Sequence, residues 1–305
     1  MNLSNCNITT FELFPLVQMY VYIPVLGLGI FLNALALWVF CCKLGKWTET
    51  RVYMLNLAGA DCLLLITLPF KIFSHLHQLQ VGRLCLVLEG SYFANRLMSI
   101  GIITVVAADR YFAIKNPLKA KVLRSPLKAA FTSGFLWILI IGVVSLIKML
   151  EDREKDKFCF EKNSVDPSVI TLCNIVIGFF IPLIILSYCS VQVIVELMRK
   201  KNKCHEEKTI TKALRIVLAN MAVFIVCFSP LYVGHLLRFI MDSISSDCSA
   251  IQRVNNFVHL ASILANTNCC LDAIFYYFVN KEFKEASPKL GKSKSEVTEA
   301  AEVQL

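Results

Sequence analysis

Arg96 stands inside a long apolar run between Cys85 and Arg110. A charge at membrane depth costs at least about 2.5–3.5 kcal/mol on insertion scales, so it has to face other protein and serve a purpose there. Its guanidinium is a planar fork matched to a carboxylate or a phosphate. Arg96 and Arg110 are 14 residues apart, about 40° short of whole helical turns, so they share one helix face. Arg96 also lies 11 residues from Cys85, about 16 Å along a helix. Two readings follow: recognition of an anionic ligand, or an internal pair with Glu89 two turns nearer Cys85. On the first reading, Tyr92 and Phe93 flank the arginine, and Lys148, His235, Arg238 and Arg253 complete an electropositive mouth from the ends of other runs. Taken singly, each reads as a solvated or snorkelling interfacial residue. Catalysis finds no support. Neither the five histidines nor the other polar residues show metal-ligand or nucleophile–base spacing, so the chain is not read as an enzyme.

The elements that must position Arg96 follow from composition. Hydrophobic residues make up 56% of the 305, charged residues only 17%, and mean hydropathy is +0.62; a soluble fold cannot solvate a surface built from that mixture. Seven runs, at 17–42, 52–77, 84–114, 127–149, 168–197, 209–241 and 254–279, reach the roughly 20 residues needed to cross a bilayer core. Their length and the lack of alternating polarity predict an all-α membrane protein, a seven-transmembrane helix bundle, and exclude a barrel. The net charge of +9 is spread over short clusters between these runs, which speaks for membrane topology and against nucleic acid.

Orientation follows from those clusters. Lys43, Lys46 and Arg51 follow the first run, Lys115, Lys119, Lys121, Arg124 and Lys128 the third, and Arg199, Lys200, Lys201, Lys203, Lys208 and Lys212 the fifth. The positive-inside rule then places the N-terminus outside and the C-terminus in the cytoplasm, at the plasma membrane. No cleavable signal peptide is expected, since no basic region precedes the first run. The organisation predicted is an extracellular tail over 1–16, the bundle over 17–279, a short amphipathic eighth helix on the inner membrane surface over 280–287, and a disordered tail over 288–305. The outer tail carries glycosylation sequons at Asn2 and Asn7. Of 13 cysteines, Cys6, Cys85, Cys159 and Cys248 fall on the expected outer face, and an even number there permits two disulfides. Cys85 at the top of the third run can pair with Cys159 in the next outer loop. Cys6 with Cys248 uses the partners left over.

The third run ends in Asp109-Arg110-Tyr111. With it come Asn33 in the first run, Leu57-Ala58-Gly59-Ala60-Asp61 in the second, Trp137 in the fourth and Pro182 in the fifth. The sixth run has Cys227-Phe228-Ser229-Pro230 and the seventh Asp272-Ala273-Ile274-Phe275-Tyr276. In this order and in these spans, the motifs resemble the rhodopsin-like G-protein-coupled receptors over about residues 17–287. Two positions depart from the family pattern: Phe228 replaces the usual Trp and Ala273 the usual Pro. Without that proline the seventh helix keeps a backbone hydrogen bond and should kink less. The stretches 35–42, 47–51 and 268–273 look like an orphan member for which kynurenic acid and lysophosphatidic acid have been proposed as ligands. Purinergic and hydroxycarboxylic-acid receptors are the alternatives.

The resemblance implies a cell-surface receptor that an agonist switches by an outward swing of the sixth helix, with Asp109, Arg110, Tyr111, Phe228, Pro230, Asp272 and Tyr276 carrying activation. Its implied partners are a small anionic agonist, a heterotrimeric G protein, arrestin, receptor kinases acting on Ser287, Ser293, Ser295 and Thr298, and the lipid bilayer. It implies no cofactor beyond an allosteric sodium ion at Asp61, Asn33, Ser99, Asn268 and Asp272, a cluster that a water-bridged network would also explain. Tyr92 stands where amine receptors place an aspartate, and residues 251–280 hold no lysine for a retinal Schiff base, which disfavours both ligand types. A transporter is the rival from another class, because intramembrane Asp and Arg also mark ion pathways; it predicts repeated halves, which the sequence lacks.

Overall fold

The computed structural model describes residues 14–43, 47–77, 79–80, 82–116, 118, 120, 124–150, 159–160, 167, 169–201, 207–244 and 247–279. Among them α1 spans Phe14–Trp38, α2 Glu49–His77, α3 Arg83–Lys115, α4 Pro126–Leu150 and α6 Glu207–Ile244. Helix α5 is built of Val169–Ile175, a π-helical turn Val176–Phe180, and Ile181–Lys201, while α7 is built of Cys248–Asn266 and Asn268–Val279. Seven segments are long and apolar enough to cross a membrane, matching the seven runs read from the sequence. The expected tails over 1–16 and 288–305 and the surface helix over 280–287 lie wholly or largely outside the described residues.

Packing closes the seven helices into one bundle with α3 at its centre, against α2, α4, α5 and α6, while α7 packs between α6 and α1. Gly234 marks the close approach of α6 to α7. A Cβ there would stand 3.0 Å from Val258 and 3.1 Å from Phe257. The core is a continuous cluster that includes Phe40, Met98, Phe179, Phe224, Phe228 and Tyr232. The outside is equally apolar, with Ile138 74% and Met149 82% exposed, as a surface solvated by hydrocarbon requires.

Two irregularities have identifiable causes. Pro182 has no N–H to return to Gly178, and the turn before it widens so that the Ile181 N–H reaches five residues back to Val176 O. Helix α7 is interrupted at Thr267, six residues before Ala273. There the backbone N–H bonds Leu264 O at 3.2 Å and the hydroxyl donates to the same carbonyl at 2.7 Å. The missing proline therefore does not leave the seventh helix regular; a threonine breaks it a turn and a half earlier.

Candidate functional site

Toward the end of the bundle that carries the disulfide, α1, α2, α3 and α7 converge on one phenol. Lys71 of α2 donates to the Tyr92 hydroxyl at 3.0 Å, and Arg96 of α3 donates to it at 3.0 Å. From α7, Ser262 lies 2.8 Å from the same oxygen, and the hydroxyl donates to Asn266 Oδ1 at 2.9 Å. Asn266 in turn donates to the Tyr22 hydroxyl of α1 at 2.9 Å. A phenol has one proton and two lone pairs, so the two cations use its acceptor capacity. The Lys71 ammonium also lies 4.2 Å from the Tyr92 ring centroid.

Lys71 is 5% and Arg96 7% exposed. Among the described residues, no carboxylate reaches ion-pairing distance of either. Two buried cations sharing one phenol oxygen are a costly arrangement unless an anion joins them. Lys71 escaped the sequence reading. Its signal was the same as that of Arg96, a charge within an apolar run, but its place near the end of its run reads as snorkelling.

A short backbone segment roofs this cluster. Cys85 and Cys159 form the expected disulfide. The Ser74 hydroxyl donates to Cys159 O at 2.8 Å, and the Cys159 N–H bonds Leu79 O at 2.8 Å. Next in the chain, Phe160 has φ 64°, a left-handed conformation that costs a non-glycine residue about 1–2 kcal/mol. Its N–H donates to Glu89 Oε1 at 2.7 Å, and its ring sits edge-on to Tyr92 at 5.9 Å and 5.9 Å from the Lys71 ammonium. Cys248 is also disulfide-bonded. Its expected partner Cys6 lies outside the described residues, as do Asn2 and Asn7.

The structure does not assemble the full basic ring expected around Arg96. Glu89 binds Lys148 at 3.0 Å rather than Arg96, so the internal Arg96–Glu89 pair does not form. Arg238 is buried against Asp242 at 2.8 Å and Asn255 at 3.0 Å. Arg253 is exposed and reaches Ser249 at 3.3 Å. His235 stands edge-on to Tyr232 at 6.3 Å, and Phe93 packs against the core. Three of the basic side chains find nearer partners, and only Tyr92 joins Arg96 directly.

Deeper in the bundle, Asp61 accepts from Asn95 at 3.4 Å, Asn268 donates to Asp272 Oδ2 at 2.6 Å, and Asn33 donates to Cys269 O at 3.1 Å. Asp61 Oδ2, Ser99 Oγ, Asn33 Oδ1 and Asn268 Oδ1 are buried with no hydrogen-bond partner. Such orphaned oxygens around a carboxylate suit a hard cation or water. Among the buried aromatics of α5 and α6, Phe228 meets Phe224 edge-on at 5.6 Å, Phe224 stacks on Phe179 at 5.7 Å, and Phe179 stacks on Tyr232 at 4.5 Å. Pro230 lies within α6 two residues on from Phe228.

At the opposite end, Asp109 and Arg110 do not pair with each other. Neighbours on a helix point about 100° apart, and each finds another partner. Asp109 takes a two-pronged bond from Arg124 at 2.9 and 2.8 Å, and Arg124 also lies 3.7 Å from Glu49. Burial opposes the charged Arg124 guanidinium, but the Asp109 carboxylate outweighs it and raises its pKa. Arg110 donates to Thr50 Oγ1 at 2.6 Å and lines a cavity of about 300 Å³ with Val106, Leu186, Val193 and Asn220. Tyr111 accepts from Lys115 at 2.8 Å. The side chain of Tyr276 lies outside the described residues.

Residues 32–276 match the family described as 7 transmembrane receptor (rhodopsin family). The chain is 42% identical over 270 residues to human (Homo sapiens) G-protein coupled receptor 35, covering 88% of this chain and 85% of that protein. It is 32% identical over 280 residues to human G-protein coupled receptor 55, covering 90% and 88%. To human lysophosphatidic acid receptor 4 it is 31% identical over 278 residues, covering 87% and 75%.

Proposed function

The chain belongs to the rhodopsin family of seven-transmembrane receptors, and from that premise we propose that it responds to a small anionic ligand, a metabolite or lysophospholipid bearing a carboxylate or phosphate, held by Lys71 and Arg96. The observation that carries this reading is the pair of buried cations sharing the Tyr92 hydroxyl with no carboxylate partner among the described residues. An anion entering there supplies the missing charge, with Arg96 as the two-pronged donor and Lys71 as a point charge. The name of the lysophosphatidic acid relative supports a phosphate-bearing lipid among the candidates.

The disulfide end faces outward in this reading, supported by the basic residues that flank the Arg110 end. A ligand that binds the open bundle more tightly shifts a pre-existing equilibrium toward it. Helix α6 swings about Phe228 and Pro230, and the contact that must break is Arg110 with Thr50, since Asp109 is already held by Arg124. The widened cavity around Arg110 then receives a heterotrimeric G protein, with arrestin and receptor kinases ending the signal at the tail. Asp61, Ser99, Asn33, Asn268 and Asp272 would hold a sodium ion that favours the closed bundle.

The test is a screen of acidic metabolites and lysophospholipids in cells with a G-protein activation readout and surface expression measured. Acidic agonists should lose most of their potency on Arg96→Ala. Arg96→Lys, which keeps charge but loses the fork, should also be impaired. Equal potency on well-expressed Arg96→Ala would overturn the proposal.

A further inference from the structure

At the Arg110 end of the bundle, α1 runs on into a π-helical turn, Val39–Lys43. The last carbonyls of a helix have no partner within it. The Arg51 guanidinium, from the first turn of α2, donates to that of Phe40 while lying 4.0 Å from the Trp47 ring centroid. Held this way, Val39 and Phe40 point into the bundle, 1% and 0% exposed. The next two residues, Cys41 and Cys42, are free thiols on the outside.

The helix before them sets their surroundings. Phe31, Ala34 and Trp38 are exposed and recur every three to four residues, so with Cys41 and Cys42 they make one outward stripe. Asn33, Ala36 and Phe40 on the other side are buried. A stripe this apolar adjoins hydrocarbon. Immediately beyond the thiols come Lys43 and Lys46, whose charges belong in water. Trp47 follows, 57% exposed, an aromatic of the kind that sits at the headgroup level. Two adjacent thiols therefore stand where the hydrocarbon stripe ends and water begins. Among the described residues the other exposed free thiol, Cys173, lies in the first turns of α5, toward the opposite end of the bundle, and the rest are buried or half-buried.

We propose that Cys41 and Cys42 are modified by S-acylation with long-chain fatty acyl groups. A long-chain acyl-CoA keeps its chain in the bilayer and its charged carrier in water, which brings its thioester carbon to the depth of this pair. The cysteine sulfur, as thiolate, attacks that carbon. The bond from the carbon to the CoA sulfur breaks, CoA leaves as its thiol with the proton the cysteine gave up, and a new thioester forms with no change of oxidation state. The chain then lies along Trp38, Ala34 and Phe31. From Cys42 to Phe31 is 11 residues, about 16 Å of helix and about half of a 30 Å hydrocarbon core, so the chain stays within one leaflet. Two chains anchor far more firmly than one, and here they fasten the short connection leading to Thr50, the partner of Arg110. The proposal rests on the orientation given above, which puts this end in the cytoplasm with the acyl-CoA, and not on the nature of the agonist.

The test expresses the full chain, with an N-terminal epitope, in cells fed an alkyne-bearing palmitate, and reads the label on surface receptor before and after neutral hydroxylamine, which cleaves thioesters. Wild type should carry label that hydroxylamine removes. Cys41→Ser/Cys42→Ser should lose nearly all of it at unchanged surface expression, whereas Cys204→Ser, between the fifth and sixth runs, should keep it. Mass spectrometry of the wild-type protein should find the acyl groups on the peptide that holds Cys41 and Cys42, a readout that needs no variant to fold. Absence of hydroxylamine-sensitive label, label undiminished in the double variant, or acyl groups on other cysteines alone would overturn the proposal. An epitope that antibody reaches only after permeabilisation would overturn the orientation and the proposal with it. An epitope reached on intact cells, with no thioester, overturns the proposal alone.

Discussion

Replacing Lys71 with methionine should make the ligand-free receptor more stable while removing its response to acids. The ammonium and the Arg96 guanidinium each stand 3.0 Å from the Tyr92 oxygen, so no more than about 6 Å separates the two nitrogens. At an effective dielectric constant of about 20 they repel by about 3 kcal/mol. Burying the ammonium costs several kcal/mol more. Against this stand its hydrogen bond to Tyr92, about 1.5–3 kcal/mol for a charged donor, and its contact with the Tyr92 ring, about 2 kcal/mol when desolvated. Methionine has nearly the same length and fills the space. The difference favours Lys71→Met by about 1–4 kcal/mol in the empty receptor. With a bound anion the sign reverses, because losing one partner of a buried charge pair costs about 2–5 kcal/mol, at least about thirtyfold in potency. Thermal unfolding of ligand-free protein in nanodiscs reads the first effect, and concentration–response curves for G-protein activation by an acidic agonist read the second. A variant that unfolds more easily than wild type, or that answers acids undiminished, would refute the reasoning.

Two other outcomes follow from the roof and from the start of α7. Phe160→Gly should relax about 1 kcal/mol of left-handed backbone strain yet weaken acidic agonists, whereas Phe160→Ala keeps the strain and loses the ring; comparing their unfolding and potency separates the two contributions. Asp247 caps α7 by accepting the Ser249 N–H at 2.9 Å, and the bonds from that backbone group and from the Ser249 hydroxyl hold its carboxyl below the usual range. A depressed pKa contributes stability above the unfolded value of about 3.9 that is lost as pH falls through the folded one. Protection of the first-turn amides of α7 from hydrogen exchange, taken relative to the intrinsic rate at each pH, should therefore fall below about pH 4, and Asp247→Asn should abolish that loss of protection.

The seven helices were legible because a bilayer demands long apolar runs, and a run of that length has few other uses. Arg96 was legible for the complementary reason, as a charge where none belongs. What local pattern could not supply was the partner of each charge, since partners meet across helices. Lys148 meets Glu89 from another helix, and Lys71 and Tyr92 are 21 residues apart in sequence. Arg238 with Asp242 is the exception: four residues apart on one helix, they satisfy a spacing readable from sequence alone. The break in α7 was hidden differently. Proline is the conspicuous breaker of helices, and the interruption at Thr267 comes from a hydroxyl bonding a nearby carbonyl, which many threonines do without breaking a helix.

The depth of Arg96 carries an electrical consequence. On the proposed reading, with the disulfide end outward and an anionic ligand, the anion reaching Arg96 travels about 16 Å inward from Cys85, about half the hydrocarbon thickness. A unit charge crossing the whole membrane potential is worth about 2.3 kcal/mol per 100 mV. An anion held halfway down therefore works against an inside-negative potential by up to about 1 kcal/mol for each charge it bears. A resting cell thus weakens the grip of the two cations, and depolarisation strengthens it, most of all for ligands carrying two negative charges.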